Sequence, residues 1–600
     1  MNSIVMRFSF SRISFVAFVI LFACHEPVNT ETATDDNTSE TEADETITAE
    51  SVTIDEALSK NSSTHEAESD YTWGTASAIT LNGTSISTNS SNVTINGASA
   101  TITTAGTYSI SGTLTDGQIR VNTSDETPVW ILLNGVSIHR STSSPLYIEK
   151  AKKVIVVLLD NTTNTLSDGT TYVFESATTD EPNATLFSKA DLTVYGNGSL
   201  KITANYNDGI ASKDGLVLRS GEINVTAKDD GVRGKDYLVV RDARLNITSG
   251  GDGLTSDNED DASLGYVLID NGSFNIVAAG DGLQAETDLL LRNGAYQITT
   301  GGGSMVAVSS STSAKGIKGT VSTVVEGGTY SINASDDAIH SNGNVTIAGG
   351  TFSLSTGDDG LHADVSLTLN GGDINVVKSY EGFESAIISI NNGTHHILAS
   401  DDGVNVAGGN DGSGTNGPGG SQAGFSGSSG NYFLYVNGGY TYVNASGDGV
   451  DVNGGVTMTK GTIIVDGPTA NNNAALDYDQ SFKITGGFIL AVGSSGMAQM
   501  PDATSTQNSA LITFSSTQTA SKLIHLQTGD GKELFTFKPA KNFQSVAFSS
   551  PDLVTGGNYE VYLGGSTSGT QTDGLYSNSG YSGGTKTFSF SISGVRTTVR

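Results

Sequence analysis

Cysteine is nearly absent: one in 600 residues, beside nine prolines and two tryptophans. A single Cys leaves no internal disulfide framework, and few His (eight) with no second Cys argue against a zinc site of the usual Cys/His type. So little Pro excludes collagen-like and Pro-rich linker chains. Charged residues make up 16%, against about 25% in an average globular chain. Bases are the scarcer half, 30 Lys and Arg against 63 Asp and Glu, for a net charge of −33. Such a chain repels phosphate backbones, which excludes nucleic acid as a partner. Glycine is plentiful (74), with Ser, Thr, Asn and Asp, and that mixture favours short strands joined by tight turns. The length exceeds what one compact core supports, so several domains or a repeat array are expected.

The first 24 residues read as an export signal. Arg7 and Arg12 precede an apolar run, Ile13 to Ala23, too short to cross a bilayer as a permanent helix. It ends Leu21-Phe22-Ala23-Cys24, which resembles the bacterial lipobox, and the chain's one Cys is the expected lipidation site. His25 stands where Asp would favour inner-membrane retention, so an outer-membrane lipoprotein at the cell surface is expected, touching membrane only through its lipid. Residues 25–70 are rich in Thr and acids and predict a disordered tether.

Beyond the tether the chain repeats. Asp208-Gly209-Ile210, Asp230-Gly231-Val232 and Asp252-Gly253-Leu254 are spaced by 22 residues. The series continues at Asp281, Lys315, Asp337, Asp359, Glu381, Asp402, Asp448 and Ala474. Between these corners lie stretches of period-2 alternation around Gly- or Asn-rich turns, such as LVLRSGEINVTA (216–227). A 22-residue unit of short strands is the signature of a parallel β-helix. The predicted fold is all-β, a right-handed parallel β-helix over 191–504, with N-terminal coils or a cap over 71–190. Longer alternating strands over 505–600 predict a small antiparallel β-module. The Gly-rich tract 408–431 accounts for the 46-residue step between Asp402 and Asp448. The residue after each corner Gly (Ile210 through Leu476) must face the core, and the Gly is expected to supply φ > 0. A monomer is expected.

Nine of the eleven corner residues are acids. Asp229, Asp336, Asp358 and Asp401 precede them, and Asp214, Asp236, Asp257 and Asp364 follow a few residues later. Stacked about 4.8 Å apart, ionised carboxylates repel by about 1 kcal/mol per pair even in water. Ca2+, which takes about 6–8 oxygens in loose geometry, suits such a ladder better than Mg2+. Asp-Gly is also a favoured turn dipeptide, with Asp capping its own backbone, but that alternative admits Asn and Ser, and none of the eleven is either. Lys315 replaces a cation by a fixed charge or marks a functional site. His340 and His362, also 22 apart, should stack as a surface imidazole pair.

The units DDGVRGKD and DDGLHAD, the GGNDGSG excursion, and the stretches SGDGVDVNGGVTMTKGTIIVDGP and ITGGFILAVGSSGMAQ resemble a bacterial β-helical carbohydrate-binding family. Its members resemble pectate lyases in fold, bind calcium, and are implicated in binding cellulose and acidic galacturonan. The resemblance covers the chain from about 190 onward. It implies calcium at Asp208, Asp230, Asp252, Asp281, Asp337, Asp359, Asp402 and Asp448, while Lys315 and Glu381 depart from its Asp. It makes a calcium-dependent polysaccharide-binding lipoprotein the leading expectation, with Ca2+ bridging to uronates and Tyr206, Tyr237, Tyr380 or Phe383 stacking on sugars. A polysaccharide lyase is the alternative, needing a base such as Lys315, Lys235 or Lys213. A structural adhesin with calcium as a rigidifying ion is the third.

Overall fold

The computed structural model describes residues 51–66, 71–174, 176, 178–309, 312–407 and 431–600. The expected signal peptide with Cys24, the tether up to residue 50 and nearly all of the Gly-rich tract lie outside the described residues. Within them the chain is one seven-residue helix and otherwise strands. Each strand of the main body pairs in parallel with the strand three further on, as Ser199–Ala204 does with Glu222–Ala227 and that with Ala243–Ser249. Three strands per coil build three parallel sheets, the faces of a β-helix. The coils begin before residue 191: Ser77–Gly83, Gly106–Leu114 and Val129–Arg140 already stack in parallel, and Lys153–Leu158 pairs with Asp191–Gly196.

The first face follows the acidic corner. Its apolar column is a single register ladder, Ile210–Val232–Leu254–Leu283–Ile317–Ile339–Leu361–Phe383–Val404–Val450–Leu476. Every member is at most 2% exposed, and burying each aliphatic contributes about 1.5–3 kcal/mol. The long steps are absorbed without a slip: Val404 pairs directly with Val450.

The corner glycines depart from expectation. None of Gly209, Gly231, Gly253, Gly282, Gly316, Gly360, Gly382, Gly403 and Gly449 has a left-handed φ. Space, not backbone conformation, requires them. A Cβ on Gly231 would meet Ile247 Cγ2 at 2.4 Å and the Gly253 carbonyl oxygen of the next coil at 2.5 Å. The left-handed glycines stand instead at the corner entering the third face, as Gly221, Gly350 and Gly372 do.

The second face is covered. Its strands are continuous apolar runs, such as Tyr237–Val240 and Tyr266–Ile269, buried throughout, the pattern of strands packed on both sides. What packs outside them is residues 51–66, which the sequence reading placed in the tether. Thr53 caps the helix Ile54–Lys60 in a capping box with Glu56. Val52, Ile54 and Ala57 bury against Val217, Val239, Tyr266, Leu268, Leu290 and Val324. The strap runs across successive coils, from Val52 N donating to Thr346 Oγ1 at 3.2 Å to His65 facing Thr193 Oγ1 at 2.8 Å. Glu66 pins its end to Arg219 (3.0 Å) and Arg241 (2.6 Å). An amphipathic stripe inside an acidic stretch overrides the composition that predicted disorder.

At the far end, Phe543–Ser549 pairs antiparallel with the last third-face strand, Phe488–Gly493, and Ser509–Gln518 extends the sheet. A separate six-stranded antiparallel sheet packs on these through Phe514, Phe535, Phe537 and Phe548, closing an edge that would otherwise be free to pair. Coil contact at the corner is tight enough that Gly231→Ala should cost about 1–3 kcal/mol, the usual cost of overpacking. Urea unfolding of the variant checks this, and an unchanged midpoint would contradict it.

Candidate functional site

The acidic corner is an inter-coil device. The ladder aspartates accept the backbone N–H of the ladder residue on the next coil: Asp230 Oδ1 from Asp252 (2.8 Å), Asp252 from Asp281 (2.7 Å), Asp281 from Lys315 (2.7 Å), Asp337 from Asp359 (3.1 Å) and Asp359 from Glu381 (3.2 Å). Asp402 and Asp448 do the same for Asp448 and Ala474, whereas Glu381 accepts from Asn405 Nδ2 (2.7 Å). The Asp therefore caps its neighbour's backbone rather than its own. An Asn oxygen could accept the same bond, so the bond alone leaves the exclusive choice of acids unexplained.

Charge is met differently along the ladder. Arg233 pairs with Asp208 at 2.9 Å and Asp257 at 3.0 Å. Lys315 Nζ lies 2.7 Å from Asp336 and 3.1 Å from Asp337, so it acts as a built-in cation. His340 Nδ1 sits 2.8 Å from Asp337, and His362 lies among Asp359, Asp364 and Glu384. The two imidazoles stack at 4.8 Å as their spacing predicts. They are not a surface pair: His340 is buried and His362 largely so, each bonded to acids. At the C-terminal end Asp402, Asp448 and Asp451 converge, and no ion pair joins them to a basic residue among the described residues. Asp451 escaped the sequence reading because it lies outside the Asp-Gly column, in the column that pairs Asn405, Asp451 and Asp477. A Cβ on neighbouring Gly447 would fall 2.2 Å from Asp402 Oδ1 and 2.3 Å from Asp401 Oδ1; only a glycine leaves that space between carboxylates.

The electrostatics follow this distribution. Burial pushes Asp208 up to about 7 in spite of Arg233, and Asp230 up to about 6. Burial with Asp448 and Asp477 alongside pushes Asp451 up to about 7. Burial, then Asp451 and Asp448, raises Asp402 well above the carboxylate range. Asp252, Asp281, Asp358, Asp359 and Glu381 are raised chiefly by burial. Asp337 is the exception: burial works to raise it, and the Lys315 ammonium overrides that and holds it well below the usual range.

Not every predicted ligand joins the ladder. Asp257 and Asp364 reach it through Arg233 and His362. Asp214 and Asp236 stand at the following corner, where burial and then Asp191 push Asp214 up to about 6, and Asp236 accepts from Asn258 Nδ2 at 2.8 Å. Asp229 lies beside Asp230, both carboxylates within 2.5 Å of where a Gly251 Cβ would be. The candidate bases are engaged: Lys213 pairs with Glu181 at 2.9 Å, Lys235 with Asp260 at 3.3 Å, and burial works against the charge on Lys315, which the Asp337 and Asp336 carboxylates keep in place. Of the candidate sugar-stacking rings, Phe383 is wholly buried in the core and Tyr237 lies under the strap, bonded to His65. Tyr206 stacks on Tyr172 at 4.1 Å, and Tyr380 is half-buried beside Asp401.

The third face holds what sequence reading missed. A groove of about 1050 Å³ runs over its outer surface. On this face one column reads Asn224, Asn246, Asn275, Gln297, Ser331, Ser353, Asn375, His396 and Tyr442, strand upon strand, and from Asn275 onward it forms the groove's floor. Asn246 Nδ2 donates to Asn224 Oδ1 at 3.0 Å, one amide to the next. Beneath it Phe274, Tyr296, Tyr330 and Phe352 stack in the core at 4.6–4.7 Å and stiffen the floor. At the C-terminal end Tyr440 OH and His396 Nε2 bond Asp573 of the antiparallel module at 2.8 and 2.9 Å. The strands of this floor run straight into the acidic corner, Asn444 of the groove wall standing four residues before Asp448. The signal was the polar residue between two inward apolars in EINV, RLNI, SFNI and DINV.

Residues 96–360 match the family model described as carbohydrate-binding domain-containing protein. A curated protein of Acetivibrio thermocellus with the same description is 41% identical over 126 residues, which are 21% of this chain and 44% of that protein. The chain thus spans under half the length of the curated relative it matches. A solved structure described as the polysaccharide lyase-like protein from C. thermocellum, gadolinium derivative, is 32% identical over 38% of this chain and 92% of its own, with a TM-score of 0.37.

The raised carboxylates make a pH prediction. An unfolded Asp titrates near about 3.9, whereas folded Asp208, Asp230 and Asp451 hold their protons to about 6 or 7. Between those values the folded state binds more protons than the unfolded one, so stability falls as pH rises. Asp337 acts in the opposite sense, below its unfolded value and outside that window. In chelator the melting temperature should drop from about pH 5 to about pH 8. A flat or rising profile would contradict the assignment.

Proposed function

We propose that this chain is a non-catalytic, calcium-dependent polysaccharide-binding protein that lays an extended plant-type glycan along the third-face groove. The observation that carries the reading is the uncharged amide and hydroxyl column from Asn275 to Asn375 that lines the groove, continuing through His396 to the Tyr442 ring. Sugar hydroxyls donate and accept at once, and side-chain amides and hydroxyls answer both needs. Their repetition at about 4.8 Å presents equivalent partners to successive residues of a polymer. The other faces suit this less: the strap covers the second, and acids line the edge of the first. The family match over 96–360 supports a carbohydrate as the ligand.

Calcium enters at the corner. Asp402, Asp448 and Asp451 supply hard oxygens with no ion pair to a basic side chain among the described residues, and Gly447 leaves room beside them. These residues fit Ca2+. Bound there, the ion would supply positive charge at the groove's edge, neutralising the carboxylates and attracting a uronate. Asp208 and Asp337 fit it less, since Arg233 and Lys315 already pair with them. The leader at 1–24, lipidation at Cys24 and presentation at the outer membrane complete the proposal.

Binding to polygalacturonate and to a neutral β-glucan, each with calcium and with chelator, tests it. Tyr442→Ala should weaken both polymers by about three- to tenfold, the value of one aromatic contact of about 0.5–1.5 kcal/mol. Asp451→Asn should remove the calcium-dependent part of polygalacturonate binding and spare the glucan. Binding that neither substitution alters would overturn the groove and the corner together.

A further inference from the structure

A second cluster uses different chemistry from the all-oxygen corner. His362 is its pivot. Nε2 faces Asp364 Oδ1 at 3.2 Å, while Nδ1 faces both Asp359 Oδ2 at 3.0 Å and Glu384 Oε2 at 2.8 Å. The Glu384 side chain is 1% exposed, and its Oε1 is buried without a hydrogen-bond partner. Asp359 is 2% exposed. The register that stacks His362 on Glu384 places these groups on two successive coils. The His340 ring lies against His362 at 4.8 Å and holds its plane.

One nitrogen offers one proton or one lone pair, not a hydrogen for each of two carboxylates. If Nε2–H donates to Asp364, Nδ1 turns a lone pair toward two buried carboxylates, and three electron-rich atoms converge. A proton on Nδ1 or a metal cation answers such a point, but a proton leaves the buried Oε1 of Glu384 without a partner, and a metal ion would engage it. Donors around a tetrahedral Zn2+, at about 2.0–2.1 Å from the metal, stand about 3.3 Å from one another, so Nδ1 would move away from the two oxygens, now at 3.0 and 2.8 Å, by a few tenths of an ångström to admit the ion. A carboxylate behind the imidazole, fixing the tautomer and raising its basicity, is the usual support of a metal-bound histidine. Lys315 occupies the adjoining carboxylates Asp336 and Asp337, so they do not compete for the ion.

We propose that Asp359, His362 and Glu384 form a site for a first-row transition-metal dication, Zn2+ as its probe, with Asp364 as the positioning carboxylate. The site is separate from the calcium corner and stands whether or not the glycan reading does. One imidazole among the ligands favours Zn2+ over Ca2+, which takes oxygens. The ion ties two successive coils together in mid-solenoid, where the chain supplies neither an Arg nor a Lys to these carboxylates among the described residues.

The test uses the full chain stripped with chelator, dialysed, and titrated with Zn2+ against a chromophoric competitor in excess Ca2+. One tightly held equivalent is expected. His362→Gln and Glu384→Gln should abolish it, and Asp364→Asn should weaken it by about 10–100-fold. Co2+ in place of Zn2+ should give visible absorption that His362→Gln removes. Circular dichroism checks that each variant is folded, and Asp364→Asn, which leaves all three ligands in place, covers the case in which another is not. No retained Zn2+ in the parent chain, displacement by Ca2+, or equal retention in the folded variants would each overturn the site.

Discussion

Every coil lays its residues on the equivalent residues of the coil before it, about 4.8 Å away, and the molecule is organised by what that superposition does to each column. Apolar columns gain, since Ile210 through Leu476 bury one another without a break. Amide columns gain as well, because Asn246 donates to Asn224 across coils. A carboxylate column loses, and the loss grows with every coil added. The backbone N–H of the next coil offsets part of it. The remainder has to be met by positive charge.

That demand is met differently along the ladder. Arg233 and Lys315 carry the charge on the polymer itself. An imidazole stands among Asp359, Asp364 and Glu384. At Asp402, Asp448 and Asp451 no basic side chain pairs with the carboxylates among the described residues. This gradation makes the ladder a set of distinct sites rather than a uniform ribbon. The groove lining itself carries Asp373 and His396 as its only titratable side chains besides tyrosines, so that a groove of hydroxyls and amides lies beside the acidic strip.

The fold was legible because period-2 alternation and the 22-residue step both survive long insertions. The acidic column was legible for the same reason, though the purpose of its glycines was not: Gly231 answers to a carbonyl of another coil, a contact no local rule reports. Residues 51–66 were misread because acids and Thr around them mask the stripe of Val52, Ile54 and Ala57, and because the apolar surface they cover lies far along the chain. The groove was missed because Asn and Ser between inward apolars look like ordinary exposed strand residues until the coils are stacked. Asp451 was missed by its offset from the column. The stacking of His340 and His362 followed from their spacing, and their burial came from Glu384, one coil on.

On the proposal above, cations sit where no basic side chain among the described residues reaches the carboxylates. Crystals soaked with a lanthanide in place of Ca2+, and an anomalous difference map calculated from them, test it most directly. The account predicts a peak at the corner of Asp402, Asp448 and Asp451, and none between Asp336 and Asp337, where Lys315 stands. A map with no peak at the first corner, or with its strongest peak beside Lys315, would contradict it.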